Sequence, residues 1–497
     1  MTTVGIAAWG AYVPRLRLQR KAVTTANAWI APNLGGKGRG ERSMANWDED
    51  SLTMAVEAAR DALGPDDDRT HIGAVYFAST TAPFADRLNA GIVSAALTLE
   101  RSASSADITG SQRAGLTALT QALSAVKSGA AGNALVAAGE HRRTRAASAQ
   151  ELDFGDAGAA FVTSADNIAA EFLGHGSVTA DFVDHFRGAE SEFDYGWEER
   201  WIRDEGIVKL VPPAIAAALA SAGVTAGAVT HFCFPSTFAG MAATLAKTCG
   251  IPAEAVRDNL AAVMGEAGST HALVLLAHAL EAAKPGDIIL AAQFGQGAEA
   301  LVFKATGAIA SRRPARGVTG SLAERKEETN YMKFLVFNDL VQWDKGMRAE
   351  KDNKTALTTL YRNADMILGL VGGRCTETGV VQFPRTRLSV SPNKTTVDTQ
   401  EPYRFAERKA RILTWSADYL TFAMAPPNHY GMVDFEGGGR IFMDITDVEP
   451  GDVDTGLGVR MVFRIKEVDA ARGFKRYFWK ATPDRTAQAA ATAQAAE

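Results

Sequence analysis

At 497 residues the chain is long enough for roughly two to four domains and a large buried core. Hydrophobic content of 46% and charged content of 22% are those of a soluble globular protein, and a formal net charge of -5 gives no electrostatic footing for nucleic acid or an anionic membrane. No apolar run approaches the roughly 20 residues that span a bilayer, no basic leader opens the N-terminus, and three widely spaced cysteines, Cys233, Cys249 and Cys375, argue for a reducing, cytoplasmic setting without disulfides.

In chain order, residues 5–14 read as a strand ending in a Gly/Pro turn. Asp48, Glu49, Asp50 and Ser51 can cap a helix running through Met54 to Leu63, with acidic groups at its positive end. Residues 72–77 form a short apolar strand, 111–126 a helix that is amphipathic to fully buried, 134–138 a strand, and 155–161 a return to strand through small residues. The rhythm repeats as a helix around 212–222, a strand at 229–234, a helix around 269–283 and strands at 288–294 and 300–304. Short strands alternating with long helices predict a mostly parallel, layered α/β architecture over residues 1–308.

Composition shifts near residue 310. A basic connector at 311–316 opens a charged helical linker assigned to 309–365, after which Gly/Pro turns and alternating strands at 440–445 and 459–465 read as β-structure. The Ala/Gln/Thr-rich end, within a tail assigned to 483–497, reads as disordered or a frayed helix.

Several segments carry a family resemblance by their order and spacing. They are Gly10-Ala11-Tyr12-Val13-Pro14, residues 48–60, Asp107 to Gln112 followed by a small-residue helix, residues 154–160, and residues 284–297. Residues 1–308 resemble the thiolase superfamily, in its hydroxymethylglutaryl-CoA synthase and ketoacyl synthase III branch. That implies a duplicated five-layered α/β fold with halves at about 1–165 and 166–308. It also implies a homodimer or larger assembly, and a tunnel for the pantetheine arm of an acyl-CoA. The barrel signature at 426–443, followed by 447–452, resembles thiolase-associated acyl-CoA OB-fold proteins. In those proteins a rubredoxin-like zinc ribbon precedes an all-β OB barrel. Here 366–395 stands where the ribbon should be and 396–482 is the barrel. Of the ribbon's thiolates only Cys375 remains: Thr378 takes the second position and 388–391 offer no second pair. One thiolate cannot hold zinc, so a metal-free loop is expected. An OB fold can bind single strands through a basic groove with stacking aromatics. The acidic run from Asp434 to Asp454 argues instead for protein docking or a lid.

The family's catalytic residues carry over one by one, and each position differs. The nucleophilic cysteine maps onto Gln112. An amide nitrogen cannot attack a thioester, but the side chain can donate and accept hydrogen bonds and, near a helix N-terminus, hold a thioester or enolate oxygen. The plain alternative is that Gln112 fills space in a dead site, and Ser111 beside it should point elsewhere. The histidine maps onto Cys233, or His231 with a small shift, although a lone strand cysteine is more often core packing. The asparagine maps onto Glu266, next to His271, where desolvation would raise the carboxyl pKa and fit it for acid/base work, against a buried salt bridge. The glutamate maps onto Thr80. His185, Arg187, Arg200, Arg203 and Lys209 are candidates for the CoA phosphates or a substrate carboxylate, against a role as solvated surface cations. The other histidines show no metal spacing.

These residues suggest making or breaking a carbon–carbon bond on a CoA thioester by aldol, retro-aldol, Claisen or decarboxylation chemistry. The alternative of another class is a non-catalytic fused subunit that docks onto a separate catalytic thiolase. Hydroxymethylglutaryl-CoA synthesis by this chain alone is disfavoured by the changed positions. No metal, nucleic acid or membrane is expected.

Overall fold

The computed structural model describes residues 2–485. The proposed disordered tail falls, from residue 486, outside the described residues. The largest element is a nine-stranded sheet. Its strands are β1 (Gly5–Tyr12), β2 (Ile72–Ala78), β3 (Ser104–Ile108), β4 (Asn133–Glu140), β5 (Ala157–Ser164), β6 (Ala170–Thr179), β7 (His231–Cys233), β8 (Ile288–Phe294) and β9 (Gly297–Ala305). Their spatial order is β7-β8-β9-β6-β1-β5-β4-β2-β3.

The duplication is visible in this order. Outward from the β1–β6 junction, each half runs antiparallel, antiparallel, then parallel. Three of the eight strand pairs are parallel, so the sheet is mixed rather than mostly parallel. The reason is local: only Gly295 and Gln296 separate β8 from β9, and a connection that short can join antiparallel strands but not parallel ones.

Four helices complete the layers: α1 (Ser51–Leu63), α2 (Ala114–Lys127), α3 (Val208–Ala222) and α4 (His271–Ala282). Helices α2 and α4 lie between the half-sheets, where Leu116, Leu119, Leu273 and Leu276 share one core with β-residues of both halves. Nearly every side chain of α4 is buried, as a helix covered on all sides requires. Helix α1 covers the outer face of the first half and α3 that of the second, which gives an α-β-α-β-α stack. At Gly115 a Cβ would lie 2.3 Å from the Ser269 carbonyl oxygen, so only glycine lets α2 approach the segment leading into α4. The helical run 199–222 is long and apolar enough by length and composition to cross a membrane, but Val211, Ala214, Ile215 and Ala218 bury against the sheet.

The region 309–365 is not one charged helix. It breaks into short helices, Gly317–Ala323, Tyr331–Phe337, Leu357–Arg362 and Ala364–Ile367, and its strand Lys326–Glu328 pairs with Leu16–Gln19. The segment 366–395 holds two short strands, Val371–Cys375 and Val381–Gln382, in place of the expected loop, and Gln400–Arg404, from the segment assigned to the barrel, pairs with the first of them. Two hydroxyls from beyond the 388–391 stretch face Cys375. Thr396 and Thr399, spaced like Cys375 and Thr378, bring their hydroxyls to 3.3 and 3.2 Å from Cys375 Sγ. Hydroxyls of Thr378, Thr396 and Thr399 hold this thiol well below its ordinary pKa. One thiol and three neutral hydroxyls do not fit zinc, which takes thiolate, imidazole or carboxylate donors.

The C-terminal barrel is a five-stranded antiparallel sheet of β10 (Ala410–Asp418), β11 (Asn428–Phe435), β12 (Arg440–Asp444), β13 (Gly458–Asp469) and β14 (Phe474–Pro483), ordered β12-β11-β10-β13-β14. A bridge from Ile445 to Ala481 brings its two ends together. The barrel packs on α1. Asp50 caps that helix through Thr53 N–H and also accepts from Tyr477 Oη at 2.9 Å and Lys475 Nζ at 3.0 Å. Asp48 accepts from Lys480 Nζ at 2.8 Å, and Glu49 pairs with Arg464. Beneath these ion pairs Leu52, Val56 and Ala59 of α1 share one apolar core with Phe463, Tyr477 and Trp479 of the barrel.

Candidate active site

A cavity of about 220 Å³ opens between the two halves. Its wall is assembled from the turn before α2, the loop after β4, the segment 184–202, the loop after β7, the turn at Glu266 and the end of β8. Gln112, Arg142, Asp184, His185, Glu266 and Gln293 are among its polar residues, with Asp153 and Glu199 also on the wall, and Phe154, Trp197, Phe238 and Phe294 form much of its apolar part.

Gln112 sits two residues before α2 with its side chain turned into this space, 9% exposed. Its Nε2 lies 3.2 Å from His185 Nε2, and its Oε1 is buried without a partner. Ser111 points the other way, as expected, and donates to the Gly295 carbonyl at 2.7 Å. The floor at this point is Gly268, at φ +53°, where a Cβ would lie 2.7 Å from both Gln112 Oε1 and Glu140 Cγ. Behind it, Glu140 is fully buried and accepts from the backbone N–H groups of Thr80 at 3.1 Å and Ser269 at 3.2 Å. It therefore ties together the loops that follow β2 and precede α4.

Glu266 differs from its expected state. Arg142, 4% exposed, donates to its carboxylate and, at 3.0 Å, to its backbone carbonyl. Burial pushes the Glu266 carboxyl up, but the Arg142 guanidinium outweighs it and holds the pKa at about 2. A group ionised that firmly is a poor base at neutral pH, so the acid/base reading of Glu266 is corrected to a buried ion pair. His271 does not reach the cavity. It is fully buried, accepts from Ala267 N–H at Nδ1 and donates from Nε2 to the Asn259 carbonyl at 2.8 Å.

Cys233 is also corrected. It lies in the central core, fully buried, with its thiol directed at the Leu275 carbonyl and its pKa pushed up to about 12 by burial. The cavity wall is formed instead by the residues just after it, Pro235 to Phe238. His231 pairs with Asp287 at 3.0 Å, away from the cavity. Thr80 contributes its backbone to Glu140 and Arg187, and its hydroxyl is not among the cavity-lining groups.

The five cation candidates separate. His185 enters the cavity, placed there by a two-stranded hairpin that pairs it with Gly196. Its Nδ1 lies 2.7 Å from Asp184 Oδ2. Burial pulls the imidazole pKa down, but Asp184 and Asp194 outweigh that and leave it raised. Arg187 is committed to Asp194 and the Thr80 carbonyl, so it is not free for a phosphate. Arg200 and Arg203 pair with Asp204, and Lys209 with Glu205 at 2.5 Å, on the exposed face of their own helix. Arg142, Asp184 and Gln293 are not among the sequence candidates for the site; Gln293 Nε2 donates to the Gly268 carbonyl at 2.8 Å.

Comparison with known proteins follows the same division of the chain. The family described as the ChsH2 C-terminal OB-fold domain matches residues 403–464. A hydroxymethylglutaryl-CoA synthase of Methanocella arvoryzae is 31% identical over 308 residues, 61% of this chain and 88% of that protein. The Aeropyrum pernix synthase is 28% identical over 336 residues, 66% of this chain and 92% of its own. Among solved structures, an HMG-CoA synthase complexed with CoA superposes with a TM-score of 0.59 at 17% identity, over 71% of this chain and 94% of that one. Xanthomonas campestris OleA gives 0.53 at 20% identity, over 61% and 96%. At these identities the superpositions speak to the fold.

Proposed function

The chain belongs to the hydroxymethylglutaryl-CoA synthase family of the thiolase superfamily, with an OB-fold domain at its C-terminus, and from that premise we propose that its cavity takes an acyl-CoA and makes or breaks a carbon–carbon bond beside the thioester carbonyl without an acyl-enzyme. One observation carries the second half of that reading: none of the three cysteines lines the cavity, whereas Gln112, the residue that the sequence resemblance sets at the nucleophile position, does. An amide cannot form the thioester intermediate. It can donate to an oxygen that gains negative charge, and a donor already held in a closed site is worth far more there than in water. Enolate chemistry asks for that much: the α-proton leaves to a base, its electron pair moves onto the thioester oxygen, and the enolate then adds to a carbonyl compound or, in reverse, leaves one. Decarboxylation of a β-oxoacyl-CoA yields the same enolate.

The apolar wall of Phe154, Trp197, Phe238 and Phe294 suits an acyl chain or pantetheine arm, while Arg142 is committed to the Glu266 carboxylate. The same reading carries a homodimer or larger assembly and a cytoplasmic location. The test is exchange of the α-protons of an acyl-CoA in deuterated water, with intact-mass analysis of the protein. Exchange without an acyl adduct is expected, and Gln112→Ala should slow it about one-hundredfold or more. An adduct on the wild-type protein would restore an acyltransferase reading. A second reading, a non-catalytic subunit docked on a cysteine-bearing thiolase, is favoured by the half-exposed Phe186, Tyr195 and Trp197 at the cavity mouth. It would stand if no acyl-CoA bound or exchanged.

A further inference from the structure

We infer that His185 is the acid/base of this cavity, with Asp184 as its positioning residue and the Gln112 amide as the oxygen donor paired with it. The inference rests on the enolate reading for its chemistry and on geometry for its residues.

The paired carboxylate fixes the tautomer. With Nδ1–H donated to Asp184 Oδ2 at 2.7 Å, the lone pair of neutral His185 is on Nε2. That lone pair faces Gln112 Nε2 at 3.2 Å, so it accepts from the amide while the cavity is free. A carbon acid can take the place of this contact at both ends. The thioester oxygen goes to the amide N–H and the α-C–H to the imidazole nitrogen, and the two groups sit about as close as those atoms require. Both side chains line the cavity, and His185 keeps 23% of its side chain exposed, so substrate can reach it.

The competing groups are accounted for. Glu266 is neutralised by Arg142 and Glu140 is enclosed by hydrogen-bond donors. Asp153 and Glu199 lie on the wall as well, Asp153 in an ion pair with Lys37 and Glu199 exposed to solvent, so neither is held against Gln112 as His185 is. The charged groups acting on His185 itself are Asp184 and Asp194, which favour the imidazolium, and Arg142, which opposes it. Asp184 Oδ1 remains buried and unpartnered, so the carboxylate's one hydrogen-bond commitment through its side chain is to the imidazole.

The step balances. His185 Nε2 takes the α-proton and becomes imidazolium, and the C–H electron pair becomes the enolate held by Gln112. The enolate carbon then adds to the carbonyl carbon of an aldehyde or ketone co-substrate, and the imidazolium returns its proton to the new alkoxide. Retro-aldol cleavage runs the same transfers backwards. In deuterated water alone, return of deuterium to the α-carbon gives exchange.

The test joins a pH profile to a titration that needs no turnover. Exchange by the wild type should rise with pH through the His185 pKa and level off above it. His185→Gln should lose about one-hundredfold or more and the inflection with it. Asp184→Asn should keep CoA binding, measured by calorimetry, but move the inflection to lower pH and lower the plateau. A residue that merely shaped the wall would shift neither. Separately, the Cε1–H resonance of His185 should titrate above the ordinary histidine range and drop in Asp184→Asn. Exchange with an unchanged inflection in His185→Gln would overturn the inference and leave the enolate reading intact. If the wild type neither binds nor exchanges any acyl-CoA, the enolate reading fails. The titration then decides the pair alone: a His185 at or below the ordinary value, unmoved by Asp184→Asn, overturns it.

Discussion

Two polar clusters in this molecule are built in opposite ways. Around Cys375 small hydroxyls close on the thiol: Thr396 and Thr399 point inward, and the cysteine is fully buried. In the cavity the polar side chains are larger, the space stays open, and buried atoms such as Gln112 Oε1, Gln293 Oε1 and Asp184 Oδ1 are left without partners. A cluster with a structural role satisfies itself. One that still expects a ligand leaves hydrogen-bonding capacity unused, because a buried acceptor without a donor is costly to keep.

The largest effect that would sharpen this contrast is a gain. Thr378→Cys, Thr396→Cys and Thr399→Cys together should turn the sealed cluster into a zinc site. Metal analysis after chelator-free purification should find about one zinc per chain, with an apparent binding free energy on the order of 10 kcal/mol, and none in the wild type. Failure of the triple variant to take zinc would mean the four positions do not converge as a ribbon.

In the cavity, Arg142→Met should leave Glu266 as an unpaired buried carboxylate and cost about 3–5 kcal/mol in denaturant unfolding. Glu266→Gln in that background should recover part of the loss. The pH dependence has a fixed sign. Because the folded Glu266 pKa is depressed to about 2 from 4.5, its contribution is present above pH 4.5 and lost as pH falls toward 2. Glu266→Gln should flatten that acid limb while leaving the neutral-pH inflection of exchange in place.

Gly268→Ala should be milder but aimed at the same floor. Its φ of +53° and the 2.7 Å approach to Gln112 Oε1 predict about 1–3 kcal/mol of destabilisation, together with displacement of the Gln112 amide and slower exchange. The smallest effect belongs to the closed cluster: Thr396→Val should cost about 1 kcal/mol and leave acyl-CoA binding and exchange unchanged. Coupling between that variant and the cavity would break the comparison.

The sequence made the frame legible because the frame is local. Small-residue turns, the Asp50 cap and the apolar helices each announce themselves over a few residues. Gln112 was found the same way, from its place five residues after Asp107. What the frame could not supply were partners. Arg142 stands 124 residues from Glu266, and nothing in either neighbourhood shows that they meet, so the sequence offers a salt bridge at Glu266 only as an alternative without a named partner, and the upward shift expected from desolvation is reversed. In sequence His185 stands only among the candidates for the CoA phosphates or a substrate carboxylate, because its hairpin is two residues long in each strand, too short to leave a pattern that sets it apart. Thr396 and Thr399 are not legible in the sequence, because a threonine carries no mark of its partner until it folds against Cys375. The antiparallel pairs in the sheet were missed because a helix–strand rhythm reports element type and not strand direction.

The clasp between α1 and the barrel has a consequence for how the protein comes apart. Asp50 serves both as the cap of α1 and as the acceptor for Tyr477 and Lys475, and the apolar core beneath runs through both partners. Heat should therefore melt the barrel and the first half of the sheet in a single calorimetric transition. A protease nick in the connecting region should release no independently folded fragment.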